Sequence, residues 1–463
     1  MNLPSWAEEL LPIVVLLAVI AGVVSRLPPS EIVHAPAYVR RRVQNWLPVG
    51  LTYAFLYMGR YNLNACTPRV LTTDEFSQIY GAGALTYGLA FIINGPLTDK
   101  LGGKKTILIS AIGSLFANAA IGVALMGAKT PETVRTIELL YVVNMYFQSF
   151  GAVSIVKINS AWFHVRERGT FGGIFGILIS LGIYFAFDWS ALIAKHAPIS
   201  WVFFVPAMIL GVLAIVDWFA VKDSPLEAGH DDLDVGDASS GDDGPRLPVL
   251  KVAAMMFKNP TIMTIALVEF CSGYLRNAIM QYYRPYAKSI GAAGQFVASH
   301  WGMLLCVAGI LGGMFAGAIS DRVFQSRRGP VSAVLYGGML VGSVALFGLL
   351  GNVALGWVVV GMSLCIIGVH GMLSGTASMD FGGKKNAGVA VGLIDGFVYL
   401  GTASEAFVLK AVLPQQATGA DKIAANWWTW PAAIAPVALI GLILATRLWN
   451  AKPRANHAAA GAH

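Results

Sequence analysis

Charged residues are scarce in this chain of 463 residues. Aspartate, glutamate, lysine and arginine make up 12% of it, about half of the roughly 25% found in soluble globular proteins. Hydrophobic residues make up 56%, and the net charge of +7 is spread thinly. This composition excludes an ordinary cytosolic enzyme, a disordered chain, a coiled coil and a nucleic-acid-binding arm. It predicts a membrane protein that crosses the bilayer several times.

Cysteine is also scarce. The four cysteines all fall inside apolar runs, and no two of them form a CxxC pair: Cys66, Cys271, Cys306 and Cys365. They are expected to be small buried hydrophobes rather than a disulfide framework or a metal site. We expect no metal and no other cofactor.

Apolar windows near the ~20 residues that span a bilayer recur along the chain and predict thirteen helices. Twelve form a main body, at about 45–66, 78–98, 106–127, 137–160, 169–187, 199–221, 261–283, 297–320, 331–350, 355–378, 387–409 and 426–446. The remaining window, at about 10–25, follows Glu8 and Glu9 and lacks a convincing cleavage site. A retained extra helix is therefore favoured over a signal peptide, which stays the alternative.

Lysine and arginine are distributed unevenly between the loops. With the N-terminus outside and thirteen alternating spans, 21 of the 32 lie in inside segments, 8 in outside segments and 3 within spans. Cytoplasmic loops carry such an excess. The pattern predicts a multi-pass inner-membrane protein whose C-terminus is cytoplasmic.

A polar stretch rich in aspartate, glycine and serine, Lys222 to Pro248, divides the main body into two sets of six spans. It predicts a flexible linker, and Leu247 to Phe257 at its end suggest a short amphipathic helix. The expected organisation is an extra helix with its linker (1–44), an N-terminal half (45–221), a linker (222–260), a C-terminal half (261–446) and a tail (447–463).

The loop after the second body span, GPLTDKLGGKK at 95–105, has a degenerate copy, GAISDR at 317–322, at the same place in the second half. Two copies in register predict two related halves. An aspartate in such a loop can accept hydrogen bonds from a helix N-terminus and pair with basic groups, which would hold that side of the protein in one state. The residues predicted to form this latch are Asp99, Lys100, Asp321 and Arg322.

This pattern resembles the signature loop of the major facilitator superfamily. The resemblance implies an all-α polytopic membrane protein with two six-helix halves related by pseudo-two-fold symmetry. The extra N-terminal transmembrane helix is an addition to that fold.

Ionisable residues within the spans are costly, so they are expected to face a cavity or a partner. Tyr53, Tyr57 and Arg60 share one face of the first body helix, at i, i+4 and i+7. Arg276 lies within the seventh body helix. One arginine from each half would make a clamp for phosphate or carboxylate, because guanidinium donates hydrogen bonds in a planar fork.

The alternative is structural pairing. Arg276 could pair with Glu269 or Asp395, and Lys157 with another acid, without any role in binding. Arg60 has no acid near it in sequence. Three titratable side chains in the second half are candidates for proton coupling: Asp395, Glu269 and His370.

The same residues resemble the organophosphate:phosphate antiporter family, which includes the glycerol-3-phosphate and hexose-phosphate transporters. The motifs that carry this resemblance are AYVRRR at 37–42, YAFLYMGRYN at 53–62, YLR at 274–276 and KKNAG at 384–388, leading to GFVYLG at 396–401. In that family, arginines on the first and seventh helices bind the substrate phosphate among tyrosines. The residues to which the resemblance gives a substrate-binding role are Arg60, Arg276, Tyr53, Tyr57, Tyr87, Lys157, Tyr274 and Tyr399.

Some positions depart from the family pattern. Phe91 stands where a lysine is expected, and Ile179 lies near the place of a histidine. Pro285 follows Arg276 by nine residues rather than eight, so either Arg276 or Asn277 occupies the second clamp position.

These observations predict a secondary transporter with alternating access that exchanges a small organic anion, an organophosphate by resemblance, for inorganic phosphate. It is expected to be a monomer in the lipid bilayer, with a protein partner conceivable through its N-terminal helix. No nucleophile elbow and no phosphate-binding Gly-rich loop is present, so an enzyme is not expected. The alternatives are a proton-coupled transporter of a non-phosphate organic anion and a sugar-phosphate membrane sensor.

Overall fold

The computed structural model describes residues 14, 18, 34–67, 69–164, 167–231, 233, 235, 249–324 and 328–450. The predicted N-terminal helix at 10–25 lies outside this part of the chain, apart from two isolated positions. Most of the polar linker and residues 451–463 of the tail lie outside it as well.

Twelve long helices form the described body, and each overlaps one of the twelve predicted body spans. No strand occurs within the described residues. The N-terminal six are α1 Pro36–Tyr61, α2 Thr73–Leu101, α3 Gly103–Ala124, α4 Pro131–Trp162, α5 Arg168–Tyr184 and α6 Trp201–Ala220. The C-terminal six are α7 Pro260–Met280, α8 Trp301–Phe324, α9 Arg328–Leu349, α10 Ala354–His370, α11 Ser378–Val412 and α12 Thr429–Arg447. A shorter helix, Val249–Lys258, lies where the amphipathic segment is predicted.

Nine helical segments of the described residues are long and apolar enough to cross a membrane. The other three long helices are α1, α7 and α8. Within α8, the apolar stretch Trp301–Ala316 is shorter than the length required. Arg60 lies in α1 and Arg276 in α7, and such residues lower the hydropathy of a span. The expected fold class, an all-helical membrane protein, is therefore confirmed for the twelve-helix body.

Local sequence explains where several helices begin and end. Thr72 and Glu75 form a reciprocal capping box at the start of α2, with hydrogen bonds of 3.1 and 2.8 Å. Asn259 caps the start of α7, and Pro260 follows at the first helical position. At the other end of α2, Gly102 adopts a φ of 91°, which a residue with a side chain would rarely adopt. This turn lets α3 begin directly after α2.

Helices α2 and α11, one from each half, lie against each other along glycines. A Cβ atom added at Gly392 of α11 would lie 2.5 Å from the backbone oxygen of Phe91 in α2. One added at Gly388 would lie 2.5 Å from the oxygen of Gly95. Small residues permit backbones to approach this closely inside a membrane. The two halves are thus joined by direct backbone contact along α2 and α11.

We expect Gly392→Ala to destabilise the protein and Gly361→Ala, in α10, to leave it as stable or more so. Alanine favours a helix over glycine by about 1 kcal/mol, and a Cβ at Gly361 meets nothing within 4 Å. At Gly392 the carbonyl of Phe91 must move, and overpacking typically costs about 1–3 kcal/mol. The thermal unfolding midpoints of the purified variants in detergent measure this difference in stability. Equal midpoints for the two variants would contradict the close contact.

Asp99, in the last turn of α2, and Asp188, just after α5, lie at opposite ends of the bundle, which we call the Asp99 end and the Asp188 end. At the Asp188 end, the Asp188 carboxylate accepts hydrogen bonds from the backbone N–H groups of Gly302 (2.9 Å) and Met303 (2.8 Å) at the start of α8. Negative charge is favourable at a helix N-terminus. This contact closes the two halves onto each other at that end.

Further contacts between the halves surround the Asp188 end. Arg284 donates to the backbone oxygen of Phe187 (3.1 Å), and Ser77 and Tyr282 share a hydrogen bond of 2.8 Å. Lys288, in the short helix Tyr283–Ser289 after α7, donates to the backbone oxygen of Thr67 (2.9 Å). Burial lowers the pKa of Lys288 to about 8, and the positive charges of Arg284 and Arg69 contribute to this shift. Lys288 therefore holds its proton less tightly than an exposed lysine does.

Candidate anion-binding site

Arg60 lies in the last turn of α1, with none of its surface exposed. Its Nε donates a hydrogen bond to Oε1 of Gln148 in α4 (2.8 Å), and one terminal nitrogen donates to the Tyr87 hydroxyl in α2 (2.7 Å). The other terminal nitrogen donates to the Tyr399 hydroxyl, which belongs to α11 of the opposite half. All three acceptors are neutral. Arg60 is thus fixed in direction while no carboxylate among the described residues neutralises its charge through an ion pair.

Gln148 is held by a polar network within the N-terminal half. Its amide nitrogen donates to Ser114 (3.0 Å) and to Asn144 (3.2 Å), so its carbonyl oxygen is left to face Arg60. Asn118 in α3 also donates to Asn144 (3.1 Å). None of the predictions from the sequence gave Gln148 a role in this site. Its spacing of four residues from Asn144 on a buried helix face was the available signal of a role.

Tyrosine rings surround the Arg60 guanidinium. The rings of Tyr57 and Tyr87 lie 4.6 and 4.4 Å from its central carbon, and that of Tyr399 lies 5.5 Å away. Tyr53 packs edge-on against Tyr57, with ring centroids 5.0 Å apart. Aromatic faces attract a cation without cancelling its charge. The guanidinium is thus enclosed by a wall of aromatic rings that attract its positive charge.

Phe91, which stands where the family pattern has a lysine, belongs to the same wall. Its ring centroid lies 4.7 Å from that of Tyr87 and 5.8 Å from that of Tyr399. An apolar ring at this position contributes no charge. The positive charge of the site therefore comes from the arginines.

Arg276 of α7 approaches Tyr399 from the C-terminal half. Its guanidinium carbon lies 5.5 Å from the Tyr399 ring, and the residue is 6% exposed. Within the described part of the chain, it makes no hydrogen bond or ion pair. Tyr399 thus stands between two buried cations, one from each half, with its hydroxyl bonded to Arg60 and its ring beside Arg276.

Asn277 points to a different partner. Its side-chain nitrogen donates to the Glu405 carboxylate of α11, which is fully buried. Tyr274 is buried on the same helix and interacts electrostatically with Glu405 rather than with Arg60. Of the two candidates for the second clamp position, Arg276 is the one beside Tyr399. Tyr274, expected in the substrate-binding set, lies with the Asn277–Glu405 pair.

Lys157, also expected to bind substrate, contacts Asp99, a residue of the predicted latch. Its ammonium nitrogen lies 2.7 Å from Asp99 Oδ1, and Asp99 Oδ2 accepts from the backbone N–H of Val389 in α11 (3.2 Å). Asp99 thereby links α4 of its own half to α11 of the other half. Lys100 is exposed, and the side chains of Asp321 and Arg322 lie outside what the structure describes.

We expect Asp99→Asn and Lys157→Gln each to slow transport, and the double variant to be faster than either single variant. Breaking a largely buried ion pair leaves an uncompensated charge, which costs about 3–5 kcal/mol, whereas removing both charges avoids that cost. Exchange rates of the three variants, compared with Lys100→Gln as a surface control, test the pair. If the exchange rate of the double variant were reduced by the product of the two single reductions, the two side chains would act separately, which would contradict the pair.

The three proton-coupling candidates lie in the C-terminal half. His370 Nδ1 and Glu269 Oε2 are 3.0 Å apart, and Ser374 donates to Asp395. Glu269 Oε1 has no hydrogen-bond partner among the described residues. The structure therefore brings Glu269 and His370 into direct contact and gives Asp395 a neutral partner.

Two six-helix halves with a charged site between them define a membrane transport fold. The pattern of the Major Facilitator Superfamily matches residues 49–404. The chain belongs to the Major Facilitator Superfamily. It is a multi-pass membrane protein, and the expectation that it is not an enzyme agrees with its transporter relatives.

Two relatives match over almost the whole chain. The membrane sensor protein UhpC of Salmonella typhimurium is 25% identical over 445 residues, covering 91% of this chain and 94% of that protein. The glycerol-3-phosphate transporter of Bacillus subtilis is 25% identical over 455 residues, covering 91% and 95%. These relatives confirm the predicted resemblance to the organophosphate transporters.

A solved structure supports the fold. The crystal structure of a point mutant of the nucleoside transporter NupG matches with a TM-score of 0.59 and 16% sequence identity. The match covers 88% of this chain and 99% of NupG. At this identity the likeness concerns the fold alone.

Proposed function

We propose that this protein is a secondary transporter that exchanges a small organophosphate for inorganic phosphate. The observation that carries the proposal is the convergence of Arg60 and Arg276, from opposite halves, on Tyr399. Neither has a carboxylate ion-pair partner among the described residues. Buried cations without counter-ions are costly, and an anion between them would relieve that cost.

Exchange follows from the same electrostatics. With an anion bound, the two guanidinium groups are neutralised, and the halves can rock about the midplane site. Without an anion, the two guanidinium groups stay buried during the rocking motion with only the partial compensation that Glu269 and Asp395 give Arg276, which disfavours reorientation. The loaded site therefore reorients faster than the empty one, which favours exchange over net uptake.

The proposal also includes the location and the orientation of the protein in the membrane. The protein would work as a monomer in the inner membrane, with the N-terminus outside and the Asp99 end and C-terminus in the cytoplasm. The excess of lysine and arginine in the predicted inside segments supports this orientation. A protein partner recruited through the N-terminal helix belongs to this proposal too.

The test is uptake of radiolabelled phosphate into proteoliposomes that hold either unlabelled phosphate or sulfate. Uptake that requires internal phosphate, and that glycerol 3-phosphate or glucose 6-phosphate inhibits, would support the exchanger. Uptake that is indifferent to internal phosphate would contradict it.

A membrane sensor is the second candidate, because one of the relatives, UhpC of Salmonella typhimurium, is named as a sensor. A sensor would bind the same anions between the same arginines without rapid flux. Thermal stabilisation by glucose 6-phosphate together with no exchange in liposomes would favour it.

A further inference from the structure

Two carboxylates lie close to the arginine pair on the side of the Asp99 end. Asp395 precedes Tyr399 by four residues on α11, and Glu269 precedes Arg276 by seven on α7. At 1.5 Å of rise per residue, these offsets are about 6 Å and about 10 Å along the helix axes. Both carboxylates therefore lie a short distance from the anion site, along the direction of transport.

Asp395 faces the space between the halves. It interacts electrostatically with Tyr53 and Tyr87 of the opposite half and with Arg276 of its own. It is 8% exposed although it lies inside the bundle, whereas Arg60 is not exposed at all. Asp395 is therefore less completely enclosed than Arg60.

Glu269 offers a second acceptor. Oε2 is bonded to His370, while Oε1 is buried and has no hydrogen-bond partner in the described part of the chain. Arg276 and Asp395 are its charged neighbours. A buried carboxylate oxygen is normally satisfied, so one without a partner points to a missing donor.

A plain phosphate ester suits only part of this site. Its phosphate would compete with the two carboxylates for Arg276, so the carboxylates would repel the anion and lose compensation by that cation. A ligand that also carries an ammonium group would satisfy both ends, because the attraction between opposite charges grows in a dry site.

We propose that the organic substrate is a zwitterion, a phosphate monoester that carries an ammonium group. Arg60 and Arg276 hold the phosphate, and Asp395 and Glu269 hold the ammonium group. This inference rests on the proposed function, and it adds the chemical class of the substrate. Inorganic phosphate, the exchange partner, uses the arginine end alone.

The test compares ligands that differ only in the ammonium group. Glucosamine 6-phosphate against glucose 6-phosphate, and 2-aminoethyl phosphate against ethyl phosphate, compete with radiolabelled phosphate in phosphate-loaded proteoliposomes. We expect at least one amino ligand to compete about tenfold more strongly than its partner, as one charge-assisted hydrogen bond provides. Asp395→Asn and Glu269→Gln should each reduce this preference.

Glu405→Gln is the matched control. Glu405 is also a buried acid of α11, but it is bonded to Asn277 and lies beyond Tyr399 in the other direction along the helix. Its replacement should leave the preference for the amino ligands unchanged.

The outcomes separate this inference from the proposed function. Exchange of phosphate with no preference for either amino ligand would overturn the zwitterion while the exchanger stands. The zwitterion would also be overturned if Asp395→Asn kept the full preference for the amino ligands and changed only the pH dependence of exchange. Asp395 would then serve to carry a proton rather than to bind an ammonium group. Absence of phosphate exchange in folded protein would instead refute the proposed exchanger, and thermal stabilisation by the same ligand pairs would then decide on the zwitterion.

Discussion

Arg60→Lys is expected to lower the rate of phosphate exchange by about 100-fold or more, although it keeps the positive charge. Arg60 uses all three of its nitrogens in a fixed arrangement with Gln148, Tyr87 and Tyr399. A lysine has one nitrogen and no planar fork, so it cannot present two parallel donors to phosphate. Losing a buried, charge-assisted contact costs about 2–5 kcal/mol, and 1.4 kcal/mol corresponds to tenfold.

Initial rates of phosphate exchange in proteoliposomes measure this loss. Arg447→Lys is the control, because Arg447 is exposed in the last turn of α12. Exchange by Arg60→Lys within a few-fold of the wild type would show that charge alone is sufficient, and would contradict the role of the fork.

Arg276→Ala and Asn277→Ala are expected to have opposite effects on exchange. Arg276 is a buried cation beside Tyr399, so its removal should abolish exchange. We expect no gain in the thermal midpoint of the ligand-free protein, because Glu269 and Asp395 lose a charged neighbour. Asn277 is the partner of the buried Glu405 carboxylate, so its loss should lower the midpoint while exchange persists.

Thermal unfolding with and without phosphate, beside exchange rates, measures this contrast. Phosphate should stabilise Asn277→Ala and leave Arg276→Ala unchanged. If Asn277→Ala instead lost both exchange and stabilisation by phosphate, Asn277 would be the residue at the second clamp position.

The twelve-helix body could be predicted because long apolar runs, charge placement and the repeated loop all depend on local sequence. The face shared by Tyr53, Tyr57 and Arg60 follows from helix periodicity. The grouping of Tyr87 and Tyr399 with Arg60 came from the family resemblance. Their contacts with the guanidinium could not be derived from spacing, because they join helices that are distant in sequence.

Lys157 shows where sequence reasoning reached its limit. A lysine within a span predicts a cavity or an acid, but nothing local says which. Its partner Asp99 lies 58 positions earlier on another helix, and the packing of α2 against α11 brings Val389 to the same carboxylate. Gln148 is similar, because its orientation depends on hydrogen bonds to Ser114 and Asn144 that a sequence alone does not reveal.

The central claim is that Arg60 and Arg276, from opposite halves, hold one anion between them. The most direct test is a cryo-EM map of the protein with bound phosphate. We predict density within hydrogen-bond distance of both guanidinium groups, with the Tyr399 hydroxyl released from Arg60 because phosphate takes its place. Phosphate bound elsewhere, such as at Arg284 and Lys288 of the Asp188 end, with Arg60 still bonded to Tyr399, would contradict the claim.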